Sequence, residues 1–231
     1  MTLNSRGGLE EFDFQLAEYQ IRNILEHAKE GKLLDLGCND GYILWALNRY
    51  NKFIRMLGVD MDEKKIAHAQ RYGFATFQCS TIEDFECHEK FDTITLINVL
   101  EHVDDPMTVL NKARTWLSRN GVLIIHVPNS EGLNRRLGLK MGLIKSSHEL
   151  SDRDVKVGHK RFFNQSLLKV MTENAGLKVA SMGGVMLKPF SNNQMQRVSE
   201  WDNGSSILDG LYELARTMPE YSSPIWAVCT L

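Results

Sequence analysis

The sequence predicts an α/β fold built on a doubly wound sheet, and three observations carry that prediction. Short apolar runs alternate with stretches of helical period along most of the 231 residues. A glycine turn, Gly37-Cys38-Asn39-Asp40-Gly41, joins the first apolar run to a helix. A second run, Met56-Leu57-Gly58-Val59, ends in an acid, Asp60. With 43% hydrophobic and 24% charged residues, the composition is that of an ordinary globular domain, and the length suits a single one over residues 1–231.

The elements follow in order. Residues 9–30 place Phe14, Ala17, Ile21, Ile24, Leu25 and Ala28 at helical spacing, and Gly31 stops the helix. Leu33, Leu34 and Leu36 form the first strand, with Asp35 inside it; a carboxylate there needs a donor or a cavity. The turn that follows spaces its glycines as Gly37-x-x-x-Gly41. A dinucleotide fingerprint would place glycine where Asn39 stands. Asp60 suits a role as a double hydrogen-bond acceptor for ribose hydroxyls.

These residues resemble the class I S-adenosylmethionine (SAM) dependent methyltransferases. Asp35, Gly37, Asn39 and Gly41 match that family's first motif and Asp60 its second. The resemblance implies SAM as cofactor, bound by those residues and by Met61 beside Asp60. It also implies a seven-stranded, mostly parallel Rossmann-like sheet whose last strand is antiparallel and lies between strands five and six.

Residues 62–71 read as a helix ended by Gly73, and 74–78 as a short third strand. In the resembled family the loop after this strand contacts adenine, which points to Thr81 and Ile82; the family more often has Asp at the first of these places. Phe91–Ile97 is the fourth strand, and Asn98 at its end reads as a cofactor-side residue. The segment Leu100-Glu101-His102-Val103-Asp104-Asp105-Pro106 resembles one found in small-molecule methyltransferases, including the ubiquinone-biosynthesis O-methyltransferases. Asp105 caps the next helix with Pro106 at its first position, and Asn120-Gly121 closes it. Val122–Val127 is the fifth strand.

Residues 130–163 hold no strand; the glycine-spaced pieces Leu133–Leu139 and Met141–Lys145 suggest short helices. Connections this long are usually lids or binding loops. The segment carries eight basic and four acidic residues in a chain of net charge −2. It therefore reads either as a solvated loop or as a helical lid that attracts an anionic acceptor. Asn164 caps a helix ended by Gly176. Residues 177–186 form a sixth strand interrupted at Gly183-Gly184, residues 207–217 an amphipathic helix, and 225–229 the seventh strand. The loop 187–205 reads as a second substrate-binding segment.

Methyl transfer to a hydroxyl benefits from a general base, and histidine suits neutral pH. His27, His68 and His88 read as surface. His159, in Gly158-His159-Lys160-Arg161-Phe162-Phe163, resembles a segment that borders the acceptor pocket in relatives; it is the first candidate base and His148 the second. His126 reads as core packing. In the ubiquinone O-methyltransferases the Glu101–His102 segment binds a divalent cation together with a further Glu three residues earlier. That place is Asn98 here, so no metal is expected. Four cysteines without C-x-x-C spacing argue against zinc and suit reduced thiols. No leader or membrane-length stretch is evident, and the net charge offers no field for nucleic acid. The expectation is a cytoplasmic enzyme that methylates a small molecule, most simply at the hydroxyl of an anionic or sugar-like metabolite. The competing readings are N- or C-methylation, macromolecular methylation, or SAM binding without catalysis.

Overall fold

A computed structural model describes residues 11–231. Residues 9 and 10 of the expected first helix, and the stretch inspected for a leader, lie outside it. Seven strands form one sheet in the order β3-β2-β1-β4-β5-β7-β6. They are β1 (Gly31–Leu36), β2 (Phe53–Asp60), β3 (Thr76–Cys79), β4 (Phe91–Ile97), β5 (Leu117–Val127), β6 (Lys178–Gly184) and β7 (Ile225–Thr230). The pairs among β1 to β5 are parallel, whereas β7 runs antiparallel to both β5 and β6. The expected placement of the last strand is therefore observed.

Alternation along the strands builds two apolar layers. On one face Leu34, Leu36, Ile94, Leu96, Leu123 and Ile125 pack with Val109, Leu110, Ala113 and Trp116 of α4 (Pro106–Trp116) and with Leu168 of α7 (Gln165–Asn174). On the other face Leu33, Met56, Val122 and Ile124 meet three helices: α1 (Glu11–His27), α2 (Tyr42–Asn48) and α3 (Glu63–Ala69). A third cluster joins Phe12 and Tyr19 of α1 to Val185 and Met186. It also takes in α8 (Asn192–Ser199) and α9 (Gly204–Ala215) through Met195, Leu208 and Tyr212. The α1 helix thus bridges the sheet and the C-terminal helices.

Capping follows the sequence. Asp105 Oδ1 accepts from Met107 N at 2.9 Å with Pro106 at the first helical position, and Asn164 Oδ1 accepts from Leu167 N at 2.8 Å. Three expectations change. Asn120-Gly121 does not close α4: the helix ends at Trp116 and β5 already begins at Leu117, which pairs with Phe91 ahead of a register shift. Met141–Lys145 is a turn, because Gly142 takes φ +72°. The second helix of the 130–163 segment is instead α6 (Asp152–Lys156), which follows α5 (Leu133–Lys140). Gly183-Gly184 ends β6 without interrupting it; the Trp226 ring covers Gly183 and Ser222 covers Gly184, leaving no room for a Cβ at either.

Candidate active site

The strand order reverses between β1 and β4, and in open α/β sheets ligands bind at the carboxyl ends of strands flanking such a point. The glycine turn lies there. Gly37 takes φ +77°, Asn39 +52° and Gly41 +79°, a run of left-handed residues that glycine and asparagine tolerate. A Cβ on Gly37 would stand 2.5 Å from Val99 Cγ2, so the turn abuts the segment that follows β4. Gly37 N and Cys38 N donate to Val59 O at 2.7 and 3.0 Å, tying the turn to β2.

Asp60 is half-buried at the end of β2. Its Oδ2 accepts from Asn39 N at 2.8 Å and its Oδ1 from Asp62 N at 3.0 Å, so one carboxylate shapes both the glycine turn and the start of α3. Each oxygen keeps a further lone pair. Met61 is exposed beside it. Asp35 is 2% exposed and accepts a 2.6 Å hydrogen bond from Thr95 Oγ1. Burial pushes its pKa up to about 7. The Thr81 hydroxyl is spent locally: it donates to Asp84 Oδ2 at 2.7 Å and accepts from Asp84 N at 3.0 Å. The Ile82 side chain is buried in the core. Asn98 takes φ +55°, exposes its side chain, and donates its backbone N–H to His126 O at 2.9 Å.

The histidines separate clearly. His126 is fully buried, with Nε2 2.8 Å from Asn23 Oδ1 and Nδ1 3.3 Å from Gln20 Nε2, so it locks α1 to β5. Burial lowers its pKa to about 3. His148 is exposed, with Nδ1 3.3 Å from Ser147 Oγ. His159 is brought back to the end of β4 by Lys160 N, which donates to Glu101 O at 2.8 Å. Its ring lies edge-on to His102, with centroids 4.8 Å apart. Its Nδ1 lies 3.3 Å from Asp154 Oδ1.

Glu101 is 0% exposed, and neither carboxylate oxygen has a hydrogen-bond partner among the described residues. One ligand atom from each of Glu101, His102 and His159 falls within 4.8 Å of the others. A carboxylate with two imidazoles is a donor set that fits a divalent transition metal. Spacing along the chain showed only Glu101 and His102; the third donor arrives through tertiary structure.

Burial pushes the Glu101 pKa up from 4.5 to about 8 and lowers that of His102. An acid whose pKa is raised on folding holds its proton more tightly in the native state. Its contribution is therefore full below about pH 4.5 and is lost as pH rises through about 8. In chelator-treated protein, stability should fall across this window by up to about 1.4 kcal/mol per pH unit from this group. Glu101→Gln should melt like wild type at about pH 4 and above it at pH 8. Asp35 has the same sign, so some slope should remain.

The lid segment is less free than its charge suggests. Arg135 is buried over the Phe162 ring at 4.0 Å, donates to Ser147 O at 2.6 Å and to Glu149 O, and lies 3.8 Å from Asp154 Oδ2. Arg153 pairs with Asp13 at 2.9 Å, Arg136 with Glu131 at 3.3 Å, and Lys160 with Asp104. Arg161 binds the carbonyls of Val103 and Asp104. Lys140, Lys145 and Lys156 make no ion pair among the described residues. From the 187–205 segment, Lys188 donates to Asn192 Oδ1 at 2.7 Å, and burial lowers its pKa to about 8. Sequence reading missed Asp154 and Arg135 as parts of this site, since they entered it only as charges of the 130–163 segment, whereas Lys188 belongs to the 187–205 segment expected over the pocket. The Ser151-x-x-Asp154 spacing was the available signal for Asp154.

Comparison with known proteins agrees with this geometry. A family model described as a methyltransferase domain matches residues 10–182. A ubiquinone biosynthesis O-methyltransferase of Actinobacillus pleuropneumoniae serotype 5b is 29% identical over 171 residues, covering 69% of this chain and 71% of that protein. The protein of the same name from Haemophilus ducreyi is 26% identical over 173 residues, covering 69% and 70%. Among solved structures, a SAM-dependent methyltransferase from Mesorhizobium loti superposes with TM-score 0.64 at 14% identity, covering 94% of this chain and 99% of that one. The [4+2]-cyclase SpnF superposes with TM-score 0.66 at 15% identity, covering 98% and 85%. The likeness to these two structures is one of fold. No helix among the described residues is long and apolar enough to cross a membrane. A family model spanning most of the chain, on a sheet whose crevice is framed by the glycine turn and Asp60, makes the protein a member of the class I SAM-dependent methyltransferases.

Proposed function

We propose that the protein transfers the SAM methyl group to a hydroxyl of a small-molecule acceptor, with His159 as the general base. The observation that carries this reading is the contact between Gly37 and Val99. It sets the segment bearing Glu101 and His102, and the His159 docked on it, against the cofactor turn. In this reading Asp60 accepts from the ribose hydroxyls, and the turn residues Gly37, Asn39 and Gly41 pass close to the cofactor, with Asp35, Met61, Ile82 and Asn98 around it. Thr81 contributes backbone only, since its hydroxyl serves Asp84. The segments 130–163 and 187–205 cover the acceptor, and an acceptor in the cytoplasm fits this reading. Holding acceptor oxygen and methyl carbon in line at about 3–3.5 Å supplies roughly 7–11 kcal/mol, and a base adds about 10²–10⁴-fold. An anionic or sugar-like acceptor is supported by Lys188 and the unpaired lid lysines. It is supported less than the raw charge count implies, because most lid arginines are already engaged.

Incubation of the protein with methyl-labelled SAM and a cell extract should label a small molecule through an acid-stable ether. Label in RNA or protein, or a labelled amine, would replace the O-methylation reading; no label would favour SAM binding without turnover.

One observation favours a second reading. The unpartnered Glu101 carboxylate, with His102 and His159, would hold a divalent cation. Such an ion would polarise the acceptor oxygen and lower its pKa. The metal-free reading predicts that EDTA-treated protein keeps its transfer rate. A loss of about tenfold or more, restored by added divalent cation, would establish the second reading.

A further inference from the structure

We infer that Asp154 is a positioning residue for methyl transfer: it fixes the tautomer of His159 so that Nε2 is the nitrogen left to take the acceptor's proton. The inference rests on His159 being the base. The two oxygens of Asp154 divide their work. Oδ2 accepts from Ser151 N at 2.8 Å and Ser151 Oγ at 2.6 Å, closing the capping box of α6. Oδ1 faces His159 Nδ1 at 3.3 Å. That nitrogen is buried and makes no hydrogen bond among the described residues; the Asp154 oxygen is the acidic group that faces it. The backbone repeats the link, since His159 N donates to Asp154 O at 2.8 Å, and Gly158 at φ +86° makes the reversal that allows it.

The carboxylate sits among donors and positive charge: Ser151 N and Oγ bond Oδ2, and His159 Nδ1 faces Oδ1 at 3.3 Å. Arg135 of α5 lies 3.8 Å from it, and Lys188 brings a further positive charge towards it from the 187–205 segment. Glu101 and His102 face the imidazole from the end of β4. A fixed anion behind Nδ1–H selects that tautomer and stabilises the imidazolium once the proton has moved from the acceptor oxygen to Nε2, as the oxygen forms its bond to the methyl carbon and the carbon–sulfur bond breaks.

The division of oxygens makes a selective test. In Asp154→Asn the carbonyl can keep the Ser151 cap, which turns the NH₂ towards Nδ1 and forces the proton onto Nε2. Long-range ¹H–¹⁵N spectra of the full chain bound to S-adenosylhomocysteine should show His159 as the Nδ1–H tautomer in wild type and the Nε2–H tautomer in Asp154→Asn. Transfer of label to the extract's acceptor should fall by at least about 100-fold, with unchanged affinity for S-adenosylhomocysteine. Asn164→Ala, which removes the cap of α7 and touches neither Asp154 nor His159, should keep both the tautomer and the transfer rate. An unchanged tautomer in Asp154→Asn, or a changed one with full transfer, would overturn the assignment. Full transfer by His159→Gln would instead remove the base reading itself, whatever Asp154 does.

Discussion

Asp60→Ala should bind S-adenosylhomocysteine about 100-fold more weakly than wild type. Two losses combine. In the proposed reading the carboxylate at the end of β2 is the charged acceptor offered to the ribose, and a hydrogen bond to a charged group contributes about 1.5–3 kcal/mol. It also holds Asn39 N at 2.8 Å, and Asn39 is a left-handed residue of the glycine turn, so its removal loosens the turn that the cofactor must lie across. A 100-fold change corresponds to about 2.7 kcal/mol, within reach of two such bonds after solvent compensation. Asp60→Asn keeps one acceptor oxygen and should fall between. Asp62→Ala provides the control: it removes the cap of α3, whose Oδ1 accepts from Lys64 N and Lys65 N, and should cost stability without comparable loss of affinity. Calorimetry measures all three. Unchanged affinity in Asp60→Ala would place the nucleoside outside this crevice.

The parts of the molecule that local physics dictates could be read from the chain. Gly37, Asn39, Gly41 and Asn98 are the residue types that accept positive φ, and all four adopt it. Asp105-Pro106 and Asn164 cap the helices they precede. Short apolar runs located the strand cores. What failed was local chemistry overruled from a distance. Asn120-Gly121 has the composition of a helix stop, yet pairing of Phe91 with Leu117 draws the whole stretch into β5. The capping box at Ser151 outcompeted Met141–Lys145 for the second lid helix. The acceptor side of the site was hidden for the same reason. Glu101 is 53 positions before Asp154 and 58 before His159, and the hydrogen bond from Lys160 N to Glu101 O that closes this gap leaves no trace in spacing. The apparent cationic lid was misleading in the opposite sense, because Arg135, Arg153 and Arg161 serve the fold.

The cyclase among the structural relatives shows that the shared sheet does not by itself specify the reaction; the side chains at its carboxyl edge must do so. His159→Ala is therefore the second decisive variant. Transfer to a hydroxyl acceptor should fall by about 10²–10⁴-fold, the usual contribution of a general base. Affinity for S-adenosylhomocysteine should stay near the wild-type value, since His159 packs on His102, in the segment whose Val99 abuts the turn. The space left between Asp154, His102 and Phe162 is bounded by aromatic and ionisable groups, so added imidazole should restore part of the rate. Rescue by imidazole separates a lost proton acceptor from a collapsed lid, because a lid that no longer closes over the acceptor gains nothing from a free base. The acceptor's chemistry enters the same measurement. An amine is already nucleophilic once neutral and depends little on a base, whereas a hydroxyl needs its proton taken as the carbon–sulfur bond breaks. A large loss with rescue thus identifies both the residue and the kind of atom methylated, while full activity would leave His159 as a brace for Glu101 and return the site to its buried carboxylate.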